Sequence, residues 1–329
     1  NTGTSNIVSF IRPAADYTLT WPSAIKWNGG STPTLDTTAV DDDVNVITLL
    51  TRDEGVTWYG WQTIAQDTPT EFGLFTWGFN GYGESGQNNR VYYSSPTQVG
   101  SGSNWTKLRG QDTSRSFGAL KSDGTLWLWG RGNSTGGFAQ NSTSVSQYSS
   151  PVQVAGTNWS DLFTLGRQDQ RRCFAKRTDG TLWAWGHNDN GMLGVNNETN
   201  YSSPVQLPGT TWNLVTGSTL HSMGTKTDGT LWVWGRNSYG LLGQNQAPTI
   251  KRSSPIQIPG TTWTFASGSY FSNMAIKSDG TAWTWGDNDH GQLGQNNRTE
   301  YSSPVQIPGT TWKTANVTKN YTLATKTDG

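Results

Sequence analysis

Residues 180–186 read GTLWAWG, a phrase that decides the fold because near-copies of it recur along the chain. GTLWLWG ends at Gly130, GTLWVWG at Gly235 and GTAWTWG at Gly286, and a looser copy, GLFTWG, ends at Gly78. Successive Trp-Gly glycines are therefore 52, 56, 49 and 51 residues apart. A period near fifty residues, built from short alternating apolar runs and tight turns, indicates the blades of a β-propeller rather than a helical solenoid.

Each repeat carries four landmarks in a fixed order: a Trp after a Gly-containing turn, an Asp-Gly pair, the Trp-Gly pair and a Ser-Ser-Pro. The Asp-Gly pair, as at Asp279, tolerates the positive φ of a tight turn and predicts a hairpin between two β-prone runs. Trp183 and Trp185 share one face of the following strand, and Leu182 and Ala184 share the other. A strand that is apolar on both faces is expected inside a blade, so we predict that the tryptophans pack one blade on the next.

The phrases KSDGTAWTWGDNDHGQLGQNN and YSSPVQIPGTTW recur in several forms from about residue 71 onward. With these phrases the repeats resemble the regulator-of-chromosome-condensation propeller family, whose members are usually seven-bladed. Five Trp-Gly units are visible here, which departs from that count. Either a five-repeat ring closes by pairing its N-terminal and C-terminal strands, or the array reaches up to seven repeats if the chain continues; we favour the second. The predicted fold is all-β, with a propeller over residues 71–329.

Residues 1–70 do not follow the repeat and predict a small β module of their own. DVNVITLLT (43–51) and VTWYGWQTI (56–64) read as two strands joined by a turn at 52–55. With WPSAIKWNGGSTPTL (21–35), they resemble segments of bacteriophage tail-fibre and other tail-associated structural proteins. The resemblance implies an arm that attaches the propeller to a virion.

The composition excludes several classes of function. The 329 residues carry 23 basic and 23 acidic side chains, so the zero net charge predicts no nucleic-acid partner. No apolar run approaches 18 residues, so we expect no membrane insertion. Cys173 is the single cysteine, which excludes an intrachain disulfide and favours a packed thiol.

We predict no catalytic residue, no cofactor and no metal site. Residues 287–291, DNDHG, resemble a calcium loop, but the glycine comes fifth and the parallel residues 236–240 lack carboxylates, so we interpret them as a turn. A glycan-active enzyme needs paired carboxylates, and the variable loops offer Asp112 and Asp169 alone, which ranks that alternative last. The histidines fall at different phases of the repeat, where zinc ligands would not converge; they are His187, His221 and His290.

Positions that differ between repeats mark the candidate binding surface, because they are not needed by every blade. The most variable stretch precedes the Asp-Gly hairpin and reads GQDTSRS (110–116), GRQDQRR (166–172), GSTLHS (217–222), GSYFSN (268–273) and VTKNYT (317–322). These stretches share one phase and should gather at one end of the propeller, where aromatic and cationic side chains suit recognition of carbohydrate or protein. The predicted binding residues are Arg115, Arg167, Arg171, Arg172, His221, Tyr270, Phe271, Lys319 and Tyr321.

A second variable band follows each Trp-Gly pair and includes Phe79, Tyr82, His187, Tyr239 and His290. Its different phase suggests the other face of the propeller.

The leading functional hypothesis is a non-enzymatic bacteriophage virion structural protein, extracellular and located in the phage tail. Its expected partners are other virion tail proteins and a host cell-surface glycan or protein, with a homo-oligomer as a further option. The alternative is a protein-binding propeller of the regulator type, either an exchange factor or a secreted inhibitor.

Overall fold

The structure is a computed structural model in which the chain divides into two compact units, Asn1–Glu71 and Phe72–Gly329. In the described part of the chain the regular structure is β, apart from a 3₁₀ turn at Ser238–Gly240. No helix among these residues is long and apolar enough to span a membrane. The described residues are 5–11, 25–27, 44–51, 58–65, 72–111, 115–132, 135–165, 171–217 and 220–328.

The first unit contains a four-stranded sheet with the order β1-β3-β4-β2. Strands β3 and β4 pair antiparallel from Val44 opposite Ala65 to Thr51 opposite Trp58, which confirms the predicted hairpin. Strand β1 pairs antiparallel with β3, and the short β2 runs parallel to β4. The strands are β1 (Ser5–Ile11), β2 (Ile25–Trp27), β3 (Val44–Thr51) and β4 (Trp58–Ala65).

The second unit contains four antiparallel four-stranded sheets, called blades 1 to 4 here, and each is a meander of consecutive strands. The repeated Leu/Ala-Trp-x-Trp-Gly phrase forms the predicted strand after each Asp-Gly hairpin, and this strand is the third of its blade. Blade 1 is β7 (Trp105–Gln111), β8 (Ser116–Lys121), β9 (Leu126–Arg131) and β10 (Gln147–Val154). Blade 2 is β11 (Trp159–Leu165), β12 (Arg172–Arg177), β13 (Leu182–Gly186) and β14 (Tyr201–Gln206). Blade 3 is β15 (Trp212–Gly217), β16 (His221–Lys226), β17 (Leu231–Arg236) and β18 (Lys251–Ile258). Blade 4 is β19 (Trp263–Gly268), β20 (Ser272–Lys277), β21 (Ala282–Gly286) and β22 (Tyr301–Ile307).

Two further sheets of the second unit have only two strands each. The N-terminal half-blade corresponds to the third and fourth strands of a blade, because Gly78 pairs with Tyr93 as Gly186 pairs with Tyr201. Its strands are β5 (Phe75–Gly78) and β6 (Tyr93–Gln98).

The C-terminal half-blade corresponds instead to the first and second strands of a blade. Trp312 pairs with Lys326 in it, just as Trp212 pairs with Lys226 in blade 3. Its strands are β23 (Trp312–Val317) and β24 (Thr322–Lys326).

A chain of hydrogen bonds links each Asp-Gly turn to the Thr and the first Trp that follow it. In blade 3 the carboxylate of Asp228 accepts from the backbone N–H and the hydroxyl of Thr230, at 3.0 and 2.6 Å. The Thr230 hydroxyl oxygen in turn accepts from the indole of Trp232 at 2.8 Å. Lys226 places its ammonium over Trp212 and Trp232, at 4.8 and 4.5 Å from the ring centroids. These contacts fix the turn and the start of the third strand.

The second Trp of the phrase joins one blade to the preceding one, which confirms the predicted packing role. Trp234 of blade 3 is fully buried against Leu193 and Trp212. Its indole N–H donates to the carbonyl of Met192 in the preceding loop at 2.8 Å. The same carbonyl accepts a second hydrogen bond from the Ser222 hydroxyl at 2.9 Å. We call this arrangement the tryptophan socket. It recurs for Trp129 on Glu84, Trp185 on Gly137 and Trp285 on Leu241.

Candidate binding face

Both variable bands lie at the same end of the propeller, called the loop end here. The residue after Trp-Gly donates its backbone N–H to the residue before the second strand. Arg131 donates to Arg115 at 2.9 Å in blade 1, and Asp287 donates to Phe271 at 2.7 Å in blade 4. The suggestion that the second band occupies the other face is therefore wrong. The second and third strands are antiparallel, so the end of the third lies beside the start of the second.

The predicted binding residues do not share one environment. Five lie at the surface or half-buried, whereas three that were expected to be accessible are buried, and for these three the expectation is wrong. The accessible ones are Arg115, Tyr270, Phe271, Lys319 and Tyr321; the buried ones are Arg171, Arg172 and His221. Arg167 lies outside the described residues.

Arg172 is buried because it opens the second strand of blade 2, where blade 3 covers it. Its Nε donates to the Ser222 hydroxyl at 3.1 Å, and its Nη2 donates to the His221 carbonyl at 2.6 Å. Both partners belong to the next blade. Burial lowers the pKa of Arg172 to about 9, so the guanidinium stays protonated at neutral pH. Arg172 therefore links blade 2 to blade 3.

His221 makes a second polar contact between neighbouring blades, from blade 3 to blade 4. Its Nε2 is 2.7 Å from Oδ1 of Asn273, whose amide nitrogen donates to the Leu241 carbonyl at 3.0 Å. The amide oxygen is an acceptor, so Nε2 carries the imidazole proton. Burial lowers the pKa of His221 to about 4, which keeps the ring neutral at pH 7. The variable start of the second strand thus serves blade-to-blade contact as well as the surface.

One accessible cluster, the N-terminal patch, combines aromatic rings with two arginines. The Arg115 guanidinium lies 5.3 Å from the ring centroid of Phe79 and 5.2 Å from that of Tyr82. Arg131 lies 4.6 Å from the same Tyr82 ring. Phe79 and Tyr92 are both exposed and their rings are 4.9 Å apart. Exposed aromatic rings held by cations are typical of binding surfaces.

A second cluster, the central patch, bridges blades 3 and 4. The Tyr239 ring lies 4.8 Å from the Phe271 ring, which lies 6.0 Å from the Tyr270 ring. Tyr239 belongs to the second variable band and Phe271 to the first, so the patch forms only because both bands share an end. Beside it opens a groove of about 690 Å³, lined among others by Arg236, Tyr239, Lys251 and Glu300.

An acidic cluster lies at the same end. Ligand atoms of Asp287, Asp289 and Glu300 lie within 4.8 Å of one another, the one group of three metal-type ligands found among the described residues. Burial, and then the two aspartates, raise the pKa of Glu300. Asp287 already accepts hydrogen bonds from the Asp289 N–H and the Gln292 amide, at 3.1 and 3.0 Å. Three carboxylates can attract a cation, but Ca²⁺ takes six to eight oxygens. The bonds to Asp287 support the interpretation of residues 287–291 as a turn.

The side chains of Cys173 and His187 are both buried. Cys173 is buried, and burial raises the pKa of its thiol to about 12, so the thiolate is scarce at neutral pH and the packed-thiol interpretation is confirmed. His187 pairs with Asp189 at 3.0 Å, while burial lowers the pKa of its ring. Asp112 and Asp169 lie outside the described residues.

Meander blades joined through tryptophan sockets, with variable loops at one end, define a repeat β-propeller. Residues 179–223, 228–275 and 279–322 match the model of the Regulator of chromosome condensation (RCC1) repeat. Residues 264–292 also match a second RCC1 repeat model. These matches run from the hairpin before the third strand of blade 2 to the start of β24, and they confirm the predicted RCC1-like character of the repeats.

Solved structures agree with this fold. Human WBSCR16 is 19% identical with a TM-score of 0.61, and the match covers 86% of this chain and 69% of that one. Prp20p of Saccharomyces cerevisiae, in a structure described with its binding to Gsp1p and histones, is 16% identical over 84% of this chain and 66% of that one, with a TM-score of 0.59. Yeast RCC1 (Prp20) bound to Kap60 is 18% identical over 85% and 63%, also at 0.59. The chain thus spans about two thirds of the length of these proteins. The tail-fibre resemblance of residues 1–70 stays a prediction.

Proposed function

We propose that this chain is a non-enzymatic, protein-binding propeller of the regulator type, and that its loop end contacts the partner. The observation that carries the proposal is the pair of accessible aromatic patches at that end, each built from loops of a rigid blade scaffold. The similar yeast propeller is described with Gsp1p, histones and Kap60, all of them proteins. This replaces the virion role as the leading hypothesis.

The chemistry of the N-terminal patch suggests the kind of surface it would bind. Arg115 and Arg131 stack on aromatic rings, which holds each side chain in place before a partner arrives. A preorganised guanidinium loses less freedom on binding and offers paired N–H donors to a carboxylate. Tyr82 and Phe79 add apolar area at low entropic cost. The expected partner surface therefore carries Asp or Glu beside apolar residues.

The test compares a loop-end variant with a matched variant of the opposite end. Tyr82→Ala combined with Arg115→Ala removes the core of the patch. Thr210→Ala combined with Thr261→Ala changes exposed residues near the Asp-Gly hairpins. Partners crosslinked to the wild type from the source cells are identified, purified and titrated by calorimetry. We expect the first variant to weaken binding at least about tenfold and the second to leave it unchanged. Equal affinities, with all three proteins folded by circular dichroism, would contradict the proposal.

A virion tail protein with a host-binding head is the second candidate. It is favoured by the resemblance of residues 1–70, and by the fact that Asn1–Glu71 is a compact unit with its own sheet, as an attachment module requires. Its partners would be other tail proteins and a host-surface glycan or protein. Mass spectrometry of purified virions tests this role directly. Absence of the chain from virions would eliminate it, and block of adsorption by an antibody to the loop end would support it.

A further inference from the structure

The groove beside the central patch is lined by three neighbouring blades. Asn190 reaches it from the loop of blade 2, and Glu300 directly precedes the fourth strand of blade 4. Blade 3 contributes the rest of the lining, including Tyr239 and Pro248. Each of these blades has its four strands, so no wall of the groove is the open edge of a half-blade. The volume of about 690 Å³ lies in the range of ligand-binding clefts.

The loop of blade 3 that lines the groove is longer than its counterparts in the adjacent blades. From the Trp-Gly glycine to the proline of Ser-Ser-Pro, the chain advances 18 residues in blades 2 and 4 and 20 residues in blade 3. Pro248 and Thr249 lie in this longer loop and line the groove. Because blades 2 and 4 form the same sheet with the shorter loop, the extra length of the blade 3 loop is not needed for the fold.

Tyr239 holds an unfavourable backbone conformation at the groove. Its φ is 57° and its ψ is 22°, in the left-handed region that a bulky side chain rarely adopts. Asn190 and His290 occupy the same repeat position in blades 2 and 4, and neither has a positive φ. The Tyr239 ring packs on Phe271 yet stays 37% exposed. A strained backbone that presents an exposed ring is typical of a functional site.

Two charged side chains of the groove are left without an opposite charge. Among the described residues, neither the Arg236 guanidinium nor the Glu300 carboxylate forms an ion pair, with each other or with a third group. Lys251, in contrast, pairs with Glu198 of blade 2 at 3.0 Å. The groove therefore has a positive wall at Arg236 of blade 3 and a negative wall at Glu300 of blade 4.

We propose that this groove binds an extended segment of the protein partner that carries one acidic and one basic side chain. The acidic side chain pairs with Arg236, the basic one pairs with Glu300, and the segment packs on the Tyr239 ring between them. The inference rests on the proposed function, because it specifies the chemistry of one segment of that partner.

The charges of the groove select this occupant over others. A neutral glycan offers no charge to either wall, and a polyanion would be repelled by Glu300, beside which Asp287 and Asp289 add further negative charge. A polypeptide provides both signs within a few residues. The two walls also fix the direction of the segment, because the reversed segment would bring like charges together.

A displayed library of short random peptides, selected on the purified chain, provides the probe. We expect the enriched peptides to carry an acidic and a basic residue in one order and at one spacing. One of them is synthesised and titrated by fluorescence anisotropy. Arg236→Glu and Glu300→Arg should each weaken its affinity at least about tenfold. Arg298→Ala removes an exposed charge that does not line the groove, and it should leave the affinity unchanged.

Exchange of the two charges tests the direction of the segment. The combined variant Arg236→Glu with Glu300→Arg should lose the selected peptide and bind the peptide in which the acidic and basic residues are exchanged. Tyr239→Asn places a residue that tolerates the left-handed region, so it should weaken peptide binding without lowering the thermal unfolding midpoint. Enriched peptides without paired opposite charges, or equal affinity of the wild type and both single charge reversals, would overturn the proposal.

The crosslinked protein partner separates this inference from the proposed function. If Tyr82→Ala with Arg115→Ala weakens partner binding and Arg236→Glu does not, the role of the groove is wrong and the protein-binding function stands. Weaker partner binding by both variants supports the two proposals together. An unchanged affinity in both variants would contradict both proposals.

Discussion

Trp234 and Trp77 occupy the same position of the repeat and follow the same type of strand, yet one is fully buried and the other is mostly exposed. The difference lies in what surrounds them. Trp234 has a second strand beside it and the loop of the preceding blade beneath it, whereas among the described residues β5 pairs with β6 alone. The phrase therefore encodes the strand, and the neighbouring blade provides the burial. Matched substitutions at equivalent positions measure how much each neighbour contributes.

The largest expected difference is between Trp234→Ala and Trp77→Ala. The first removes a buried ring and leaves the Met192 carbonyl with one donor, so we expect it to lower the free energy of unfolding by about 3–5 kcal/mol. The second changes an exposed ring and should cost at most about 0.5 kcal/mol. Guanidinium unfolding at low protein concentration measures both. Similar losses would show that burial in the socket does not stabilise the blade.

Acid sensitivity should follow His221 rather than its counterpart Tyr321, which is exposed. The pKa of His221 is about 4 in the folded chain and near 6.5 when unfolded, so the unfolded state binds the proton first. The contribution of the neutral ring is complete above pH 6.5 and is lost as the pH falls toward 4, by up to about 3 kcal/mol.

The pH dependence of chemical unfolding checks this sign and window. His221→Gln, which keeps a polar group beside Asn273, should flatten the profile between pH 6.5 and 4. Tyr321→Gln should retain the wild-type slope. An unchanged slope in His221→Gln would assign the acid sensitivity to other groups.

A smaller contrast is expected for Gly194→Ala and Gly294→Ala. Both glycines have positive φ, 75° and 67°, so both substitutions carry a backbone cost of about 1 kcal/mol. The alanine at 194 must also displace Trp234, which adds about 1–3 kcal/mol. Thermal unfolding should therefore rank the variants clearly. Equal unfolding midpoints would mean that moving Trp234 to accommodate the alanine does not lower the stability.

The smallest effect concerns the lysine that covers the hairpin tryptophans. Lys226 lies over two rings, whereas Lys326 of the C-terminal half-blade lies over Trp312, at 4.8 Å. Lys226→Gln should cost about 0.5–1 kcal/mol and Lys326→Gln about half as much. Both unfolding free energies should be measured at low and at high salt. The differences should persist at high salt, because contact with a ring face is less screened than a surface ion pair. A larger loss at Lys326 would contradict the assignment.

The parts of the fold that depend on local chemistry were readable from the sequence. The Asp-Gly turn and the two apolar faces of the strand that follows it act within one repeat, and the structure places them as predicted. The burial of Arg172 and His221 was not readable, because their partners Ser222 and Asn273 lie about fifty residues away. Variation at these positions resembles freedom at a surface, although one polar pair joins blades 2 and 3 and a different one joins blades 3 and 4.

The shared end of the two variable bands was missed for a related reason. Phase along the chain says where a residue falls in the repeat, but only antiparallel pairing brings Tyr239 beside Phe271. Combining the predicted hairpin with the alternation of strand direction would have placed both bands together. The residues of the central patch were therefore all identified from the sequence, but they were assigned to two separate bands.

The acceptor in every tryptophan socket is a backbone carbonyl, and this frees the indole contact from side-chain identity. Glu84, Gly137, Met192 and Leu241 all fill that position. A loop of one blade can therefore receive the tryptophan of any other. When such an array gains, loses or exchanges a whole repeat by recombination, this indole contact needs no compensating substitution. Array length is then free to change during evolution while the binding loops diversify one blade at a time.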